Sequence, residues 1–212
     1  MIQHMDEFKP WRKYPDLTGD RLSTVANIIR DARHEVVALY EPENGDGPWS
    51  LGCRAYERIC FSLRRAATKH DWLGILQQAT MLEFGFTIGT TPFRFYRGKP
   101  DDPPDNYIIK SFGEVKHLQF CLDIEGLRPI DKILRFAVDV DATREVSSIT
   151  FVEMDDAANI TGTWPIPFDG ASSNVTPIQT PAVDLPPVVP HPLSKKDEQQ
   201  KQKKENGISS VS

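Results

Sequence analysis

Apolar residues recur every three or four positions in the first third of the chain and every second position in much of the remainder. That change of period divides helices from strands. After Thr18-Gly-Asp20, the residues Leu22, Val25, Ile29, Ala32, Val36 and Tyr40 fall at helical spacing, with Arg30, Asp31, Arg33, His34 and Glu35 between them. The pattern predicts an amphipathic helix with Asp20 as N-cap. It is expected to stop at Glu41-Pro42, because a proline ring disfavours α geometry in the residue before it. A second helix is expected over 49–68, with an apolar stripe of Trp49, Cys53, Tyr56, Cys60, Leu63 and Ala67 and with Arg54, Arg58 and Arg65 on another face. A short third helix, capped by Asp71, is expected over 71–79. The acidic loop at 41–48 offers no register with the ligand positions of an EF-hand and reads as a solvated turn.

From Leu82 the period is two. Leu82, Phe84, Phe86 and Ile88 alternate with polar or small residues, as do positions 92–97, and Gly89-Thr90-Thr91 between them is turn material. This predicts a hairpin. Residues 99–106 hold three prolines and three aspartates and must form a loop. Further strands are expected over 116–123, 134–140, 148–154 and 160–164, the last two joined by a hairpin loop at 155–159. Helices first and strands afterwards indicate an α+β fold. The expectation is two or three N-terminal helices packed on one face of a mostly antiparallel sheet of five or six strands, as a single domain over 1–170. From 171 to 212 the chain is Pro-rich and then Lys/Gln/Glu-rich, too polar to offset the entropy of ordering, and is expected to be a disordered tail.

Composition narrows the functional classes. The apolar fraction is 39% and the charged fraction 26%, values normal for a globular protein. A domain of this size needs neither disulfide nor metal to hold its core. The formal charge is −5; residues 171–212 carry five Lys against four acids, so residues 1–170 carry −6. A domain that acidic is a poor general binder of nucleic acid, although a local basic patch is compatible with it. Cys53, Cys60 and Cys121 show no metal-knuckle spacing and read as free, core-facing thiols. The opening residues have no apolar run of the export-signal kind, and no stretch approaches a membrane span. The expectation is a cytoplasmic chain without a membrane segment.

Three sets of residues suggest chemistry. Pro104-Asp105, eight residues, then Glu114-Val115-Lys116 resembles the PD-(D/E)xK nuclease signature. That resemblance implies a metal-dependent phosphodiesterase in which Asp105 and Glu114 hold Mg²⁺ and Lys116 sits beside the attacking water. On a strand, alternation would place Glu114 and Lys116 on one face. The second set is Arg94, Tyr96 and Arg97, an aromatic-plus-arginine group suited to stacking a base or gripping a carboxylate or phosphate. Arg54, Arg58 and Arg65 form the third; they receive an acidic partner, pair with Glu35 or Asp31, or lie solvated. The five histidines are scattered, and there is no P-loop or dinucleotide fingerprint. The favoured expectation is therefore a binding or adaptor protein without cofactor or catalytic activity, acting through contacts with another protein. The alternatives are the Mg²⁺ phosphodiesterase and a small nucleotide or nucleic-acid binder.

Overall fold

The computed structural model describes residues 8–78, 80, 82–124 and 130–169. The chain divides into two units, Met1–Ser172 and Ser173–Ser212, and every described residue lies in the first. The Pro-rich and Lys/Gln/Glu-rich segment expected from 171 onward lies outside the described residues.

A one-turn helix α1 (Pro10–Lys13) leads into α2 (Gly19–Ala38). The N-cap of α2 is Thr18, not Asp20: the Thr18 hydroxyl accepts the Arg21 N–H at 3.4 Å. Asp20 lies in the first turn instead, where its charge complements the helix dipole. A 3-10 turn at Pro42–Asn44 separates α2 from α3 (Pro48–Ala67). Helix α3 buries Leu51, Ala55, Ile59, Cys60, Leu63 and Ala66. The stripe expected through Trp49 and Cys53 is therefore rotated away from the core, and Trp49 is 81% exposed. Two apolar stripes run along this helix, and only one can face the sheet.

The sheet has six strands in sequential order: β1 (Leu73–Ile75), β2 (Phe86–Ile88), β3 (Thr91–Arg97), β4 (Ile133–Val140), β5 (Val146–Met154) and β6 (Ile160–Pro165). Every neighbouring pair is antiparallel except β3 and β4, which run parallel with Phe95 opposite Phe136. The fold is α+β with a mostly antiparallel sheet, as the pattern of the sequence indicates. Helix α4 (Phe112–Leu122) lies in the crossover that the parallel pair requires.

Two elements differ from the expected ones. Residues 73–75 form β1 rather than part of a helix; their ladder partner is β2, and Gly74 sits tight against the Thr87 side chain. The strand expected over 116–123 is α4. Its start is fixed by a capping box, in which the Ser111 hydroxyl accepts the Glu114 N–H and the Glu114 carboxylate accepts the Ser111 N–H at 2.8 Å. In the β2–β3 hairpin Gly89 has φ +60°, and a Cβ there would collide with the Asp16 carboxylate. That carboxylate accepts the Thr90 N–H at 3.3 Å and so fastens the turn to the start of the domain.

Alternation along the strands produces two faces. Phe93 and Phe95 of β3, Leu134, Phe136 and Val138 of β4, and Ile149 and Phe151 of β5 face α2 and α3 in the main core. Tyr96, Ile133, Ala137, Val152 and Met154 form a smaller cluster on the opposite face, beside Tyr107 and Ile108. Helix α4 is anchored on that second face.

Candidate functional site

The structure separates the residues that resemble a nuclease motif. Asp105 is exposed in a 3-10 turn, Asp105–Tyr107. Glu114 is 2% exposed, and Arg135 Nη1 donates to its Oε1 at 2.6 Å. Arg135 itself is fully buried and also donates to the carbonyls of Tyr107, Ile109 and Leu134. Glu114 thus joins the loop before α4 to β4. Because residues 112–122 are helical, the strand alternation that would align Glu114 with Lys116 does not occur. Lys116 is exposed, its Nζ 5.8 Å from the Phe112 ring centroid. Among the described residues, no group of three or more His, Cys, Asp or Glu is placed to hold a metal ion.

The second set is split along β3. Arg94 is buried on the α4 face, where Nη1 donates to the Asn106 carbonyl at 2.8 Å and the guanidinium lies 4.4 Å from the Tyr107 ring centroid. Tyr96 and Arg97, further along the strand, reach a cleft of about 290 Å³. Burial pushes the Tyr96 phenol up to about 12, and its hydroxyl donates to the Lys99 carbonyl at 3.1 Å. Of the arginine stripe on α3, Arg54 pairs with Asp46 at 2.6 Å and Arg58 lies 3.9 Å from Glu35.

The cleft lies at the carboxyl ends of β3 and β4, the region of a parallel pair that loops and helix ends surround. Its floor is apolar, with Ala55 and Ile59 of α3, Phe95 of β3 and Val138 of β4. Tyr56 and Tyr107 stand at its sides. The first turn of α3 contributes Pro48 and Trp49; its N-cap, Gly47, has no side chain to offer that turn, and the Ser50 hydroxyl accepts the Gly47 N–H at 3.1 Å. Gly52 also lines the cleft, and nothing lies within 4 Å of the place its Cβ would occupy. A helix-interior glycine costs about 1 kcal/mol relative to alanine. Here no close backbone approach calls for it; its effect is to leave the cleft open.

The charged groups of this lining are Arg33 and Arg97, and the lining contains no carboxylate. Arg33 is 4% exposed and gives its Nε–H to the Arg144 carbonyl at 2.7 Å. Its two terminal amino groups have no hydrogen-bond partner among the described residues. Arg97 is exposed, and its side chain has neither ion pair nor hydrogen bond among them. The Arg33 guanidinium is held below its ordinary pKa, first by burial and then by repulsion from Arg97. Glu145 and Asp141 act in the opposite sense, but both are engaged elsewhere. Glu145 contacts His34 at 3.0 Å, and Asp141 accepts from the Thr143 hydroxyl and the Glu145 N–H. Two like charges beside an apolar floor, in a domain whose net charge is negative, make a place where an anion is favoured.

Sequence reasoning found Tyr96 and Arg97 but not Arg33, Trp49 or Gly52. Arg33 reads as an ordinary polar-face residue of α2, and only the fold turns it inward. Trp49 carried a signal, as the first apolar residue after Gly47-Pro48. No family model, curated protein or solved structure matches this chain.

A cysteine–histidine pair on α4 is a weaker candidate. Cys121 Sγ lies 3.6 Å from His117 Nε2, but the same nitrogen is 2.8 Å from the Thr90 carbonyl. A nitrogen that donates to a carbonyl cannot also take the thiol proton. Burial raises the Cys121 pKa, which opposes formation of a thiolate.

Proposed function

We propose that the protein is a binding module whose ligand is a small organic anion held in the cleft at the ends of β3 and β4. The observation that carries this reading is the pairing of Arg33 with Arg97 in a lining that has no acidic residue. A buried or half-buried guanidinium is normally matched by a carboxylate or by several carbonyls, as Arg135 is. Arg33 has one carbonyl and a cationic neighbour in Arg97, and the carboxylates that act on it, Glu145 and Asp141, stand outside the cleft lining and are engaged by other donors. A volume of about 290 Å³ is at the lower edge of the range for ligand sites, about 300–1,000 Å³, and suits a compact molecule rather than a polymer. Titration of the full chain with inorganic phosphate and with citrate, followed by calorimetry, tests the reading. Saturable binding that weakens on Arg97→Ala is expected. Binding that Arg97→Ala leaves unchanged would remove the cleft from consideration.

A second reading keeps the protein–protein role and rests on the outer surface of α4. Phe112, Val115, Phe120 and Leu122 there are 43–66% exposed. Exposed large apolar groups in such number on one short helix are candidates for a contact surface. Under this reading, Phe120→Glu abolishes a complex recovered with the wild-type chain from cell extract; a complex that survives the substitution ends it.

A further inference from the structure

The geometry points to a narrower ligand class, on the reading that the cleft is an anion site: a molecule with one aromatic ring system and one terminal phosphate. The ring lies against Trp49 and the apolar floor, and the phosphate sits between Arg33 and Arg97. Three observations converge on this assignment. First, the cleft has two chemically distinct parts, an apolar floor of Ala55, Ile59, Phe95 and Val138 and a cationic part made by two arginines. An ion without a hydrophobic portion would use only the second. Second, Trp49 is 81% exposed although it lines the cleft. An indole is the side chain with most to gain from covering a flat apolar surface, and it is enriched where ligands dock. Its place in the first turn of α3, beside the open space at Gly52, leaves room for a planar group against it.

Third, the charge count separates phosphate from carboxylate. Two guanidiniums face the cleft without a carboxylate in the lining. A monocarboxylate balances one of them, whereas a phosphate monoester carries close to two negative charges at neutral pH. Arginine forks match phosphate oxygens in pairs. Arg33 is fixed by its bond to the Arg144 carbonyl and 96% removed from solvent, whereas Arg97 is exposed and free to close on the anion. The first turn of α3, whose N-cap Gly47 offers no side-chain acceptor to its amides, adds the favourable end of a helix dipole on the same side.

Calorimetric titration of the full chain with phenyl phosphate, AMP, adenosine, benzoate and inorganic phosphate tests the assignment. Phenyl phosphate and AMP are expected to bind more tightly than adenosine and benzoate, which lack the phosphate, and at least about tenfold more tightly than inorganic phosphate, a margin the size of one base–aromatic stack. Trp49→Ala removes that margin and leaves the affinity for inorganic phosphate unchanged. Arg97→Ala weakens every phosphate. Gly52→Leu fills the cleft and abolishes binding of all of them; since its Cβ meets open space, a native circular dichroism spectrum is expected and verifies that loss of binding is not loss of fold. Inorganic phosphate or benzoate binding as tightly as phenyl phosphate would overturn the ring or the phosphate part of the inference and leave the anion site standing. Adenosine binding as tightly as AMP, or no binding by any probe, would overturn both.

Discussion

On the face of the sheet that carries α2 and α3, Phe86, Phe93, Phe136 and Phe151 meet ring to ring, with centroids 5.3–6.1 Å apart. On the opposite face the same strands set Arg94 and Arg135 side by side in register. The first face holds together by removing apolar area from water, which tolerates small errors of placement. The second depends on one carboxylate, Glu114, and a set of carbonyls reaching two buried guanidiniums, and so depends on geometry. The difference shows that one strand can meet two kinds of demand at alternate residues. Cores of hydrocarbon are non-directional, whereas buried charges must be matched group by group.

The fold is most vulnerable on its apolar face. Phe136→Asp places an unpaired charge where exposure is 0%, against the rings of Phe86 and Phe93. Losing the ring alone costs about 3–5 kcal/mol, and the buried charge adds more. The expected result is a chain with no cooperative thermal transition; a variant that melts cooperatively within a few degrees of the parent would contradict the packing described. From the polar side, Glu114→Gln leaves Arg135 charged and poorly matched at 0% exposure, with an expected loss of about 3–5 kcal/mol in urea unfolding. The double variant Glu114→Leu with Arg135→Met removes both charges together and is expected to recover most of that loss. If the double variant is as unstable as the single one, the pair is not what holds α4 to the sheet.

Legibility in the sequence follows the same division. The helix-facing side could be read because alternation of Leu134, Phe136, Val138 and Val140 needs no information about partners. The α4 side could not, because Arg94 and Arg135 look like solvent-facing residues until a loop and a helix cover them. The capping signature Ser111-x-x-Glu114 was present in the sequence and signals a helix start, yet Glu114-x-Lys116 read as a strand gives a tempting metal site instead. The register of α3 was ambiguous for a physical reason. Trp49 and Cys53 form one apolar stripe with Tyr56, Leu51 and Ala55 another with Ile59, and local periodicity cannot choose between them. The candidate cleft was half visible. Tyr96 and Arg97 belong to one strand and were seen together, whereas Arg33 joins them through tertiary structure alone.

A smaller effect sharpens the contrast by means of the buried carboxylate on the other face. Glu153 of β5 is 2% exposed and faces the α1 side, where Lys13 Nζ lies 2.7 Å from Oε1, the Thr161 hydroxyl donates to Oε1 at 2.6 Å, and the Tyr14 hydroxyl donates to Oε2 at 2.8 Å. Burial alone would raise the pKa of Glu153, but these three donors outweigh it and hold the group below its ordinary 4.5. A carboxyl whose pKa is lower in the folded state stabilises the fold above its unfolded pKa. That contribution disappears as pH falls through the folded value. Glu153→Gln cannot lose a charge, so the melting temperature of the variant is expected to fall less steeply than that of the parent below about pH 4.5. The carboxylates Asp46, Asp141 and Asp155, also held low by hydrogen bonds, titrate in both chains and cancel in the difference. The Lys13 side chain is 46% exposed, so added salt should shrink that difference by screening the ion pair. Arg135, at 0% exposure, gives no such opening to salt, and the loss caused by Glu114→Gln should stay constant as ionic strength rises. Equal salt sensitivity for the two substitutions would mean that both carboxylates are open to solvent, and the distinction between a charge matched in the interior and one matched at its rim would fail.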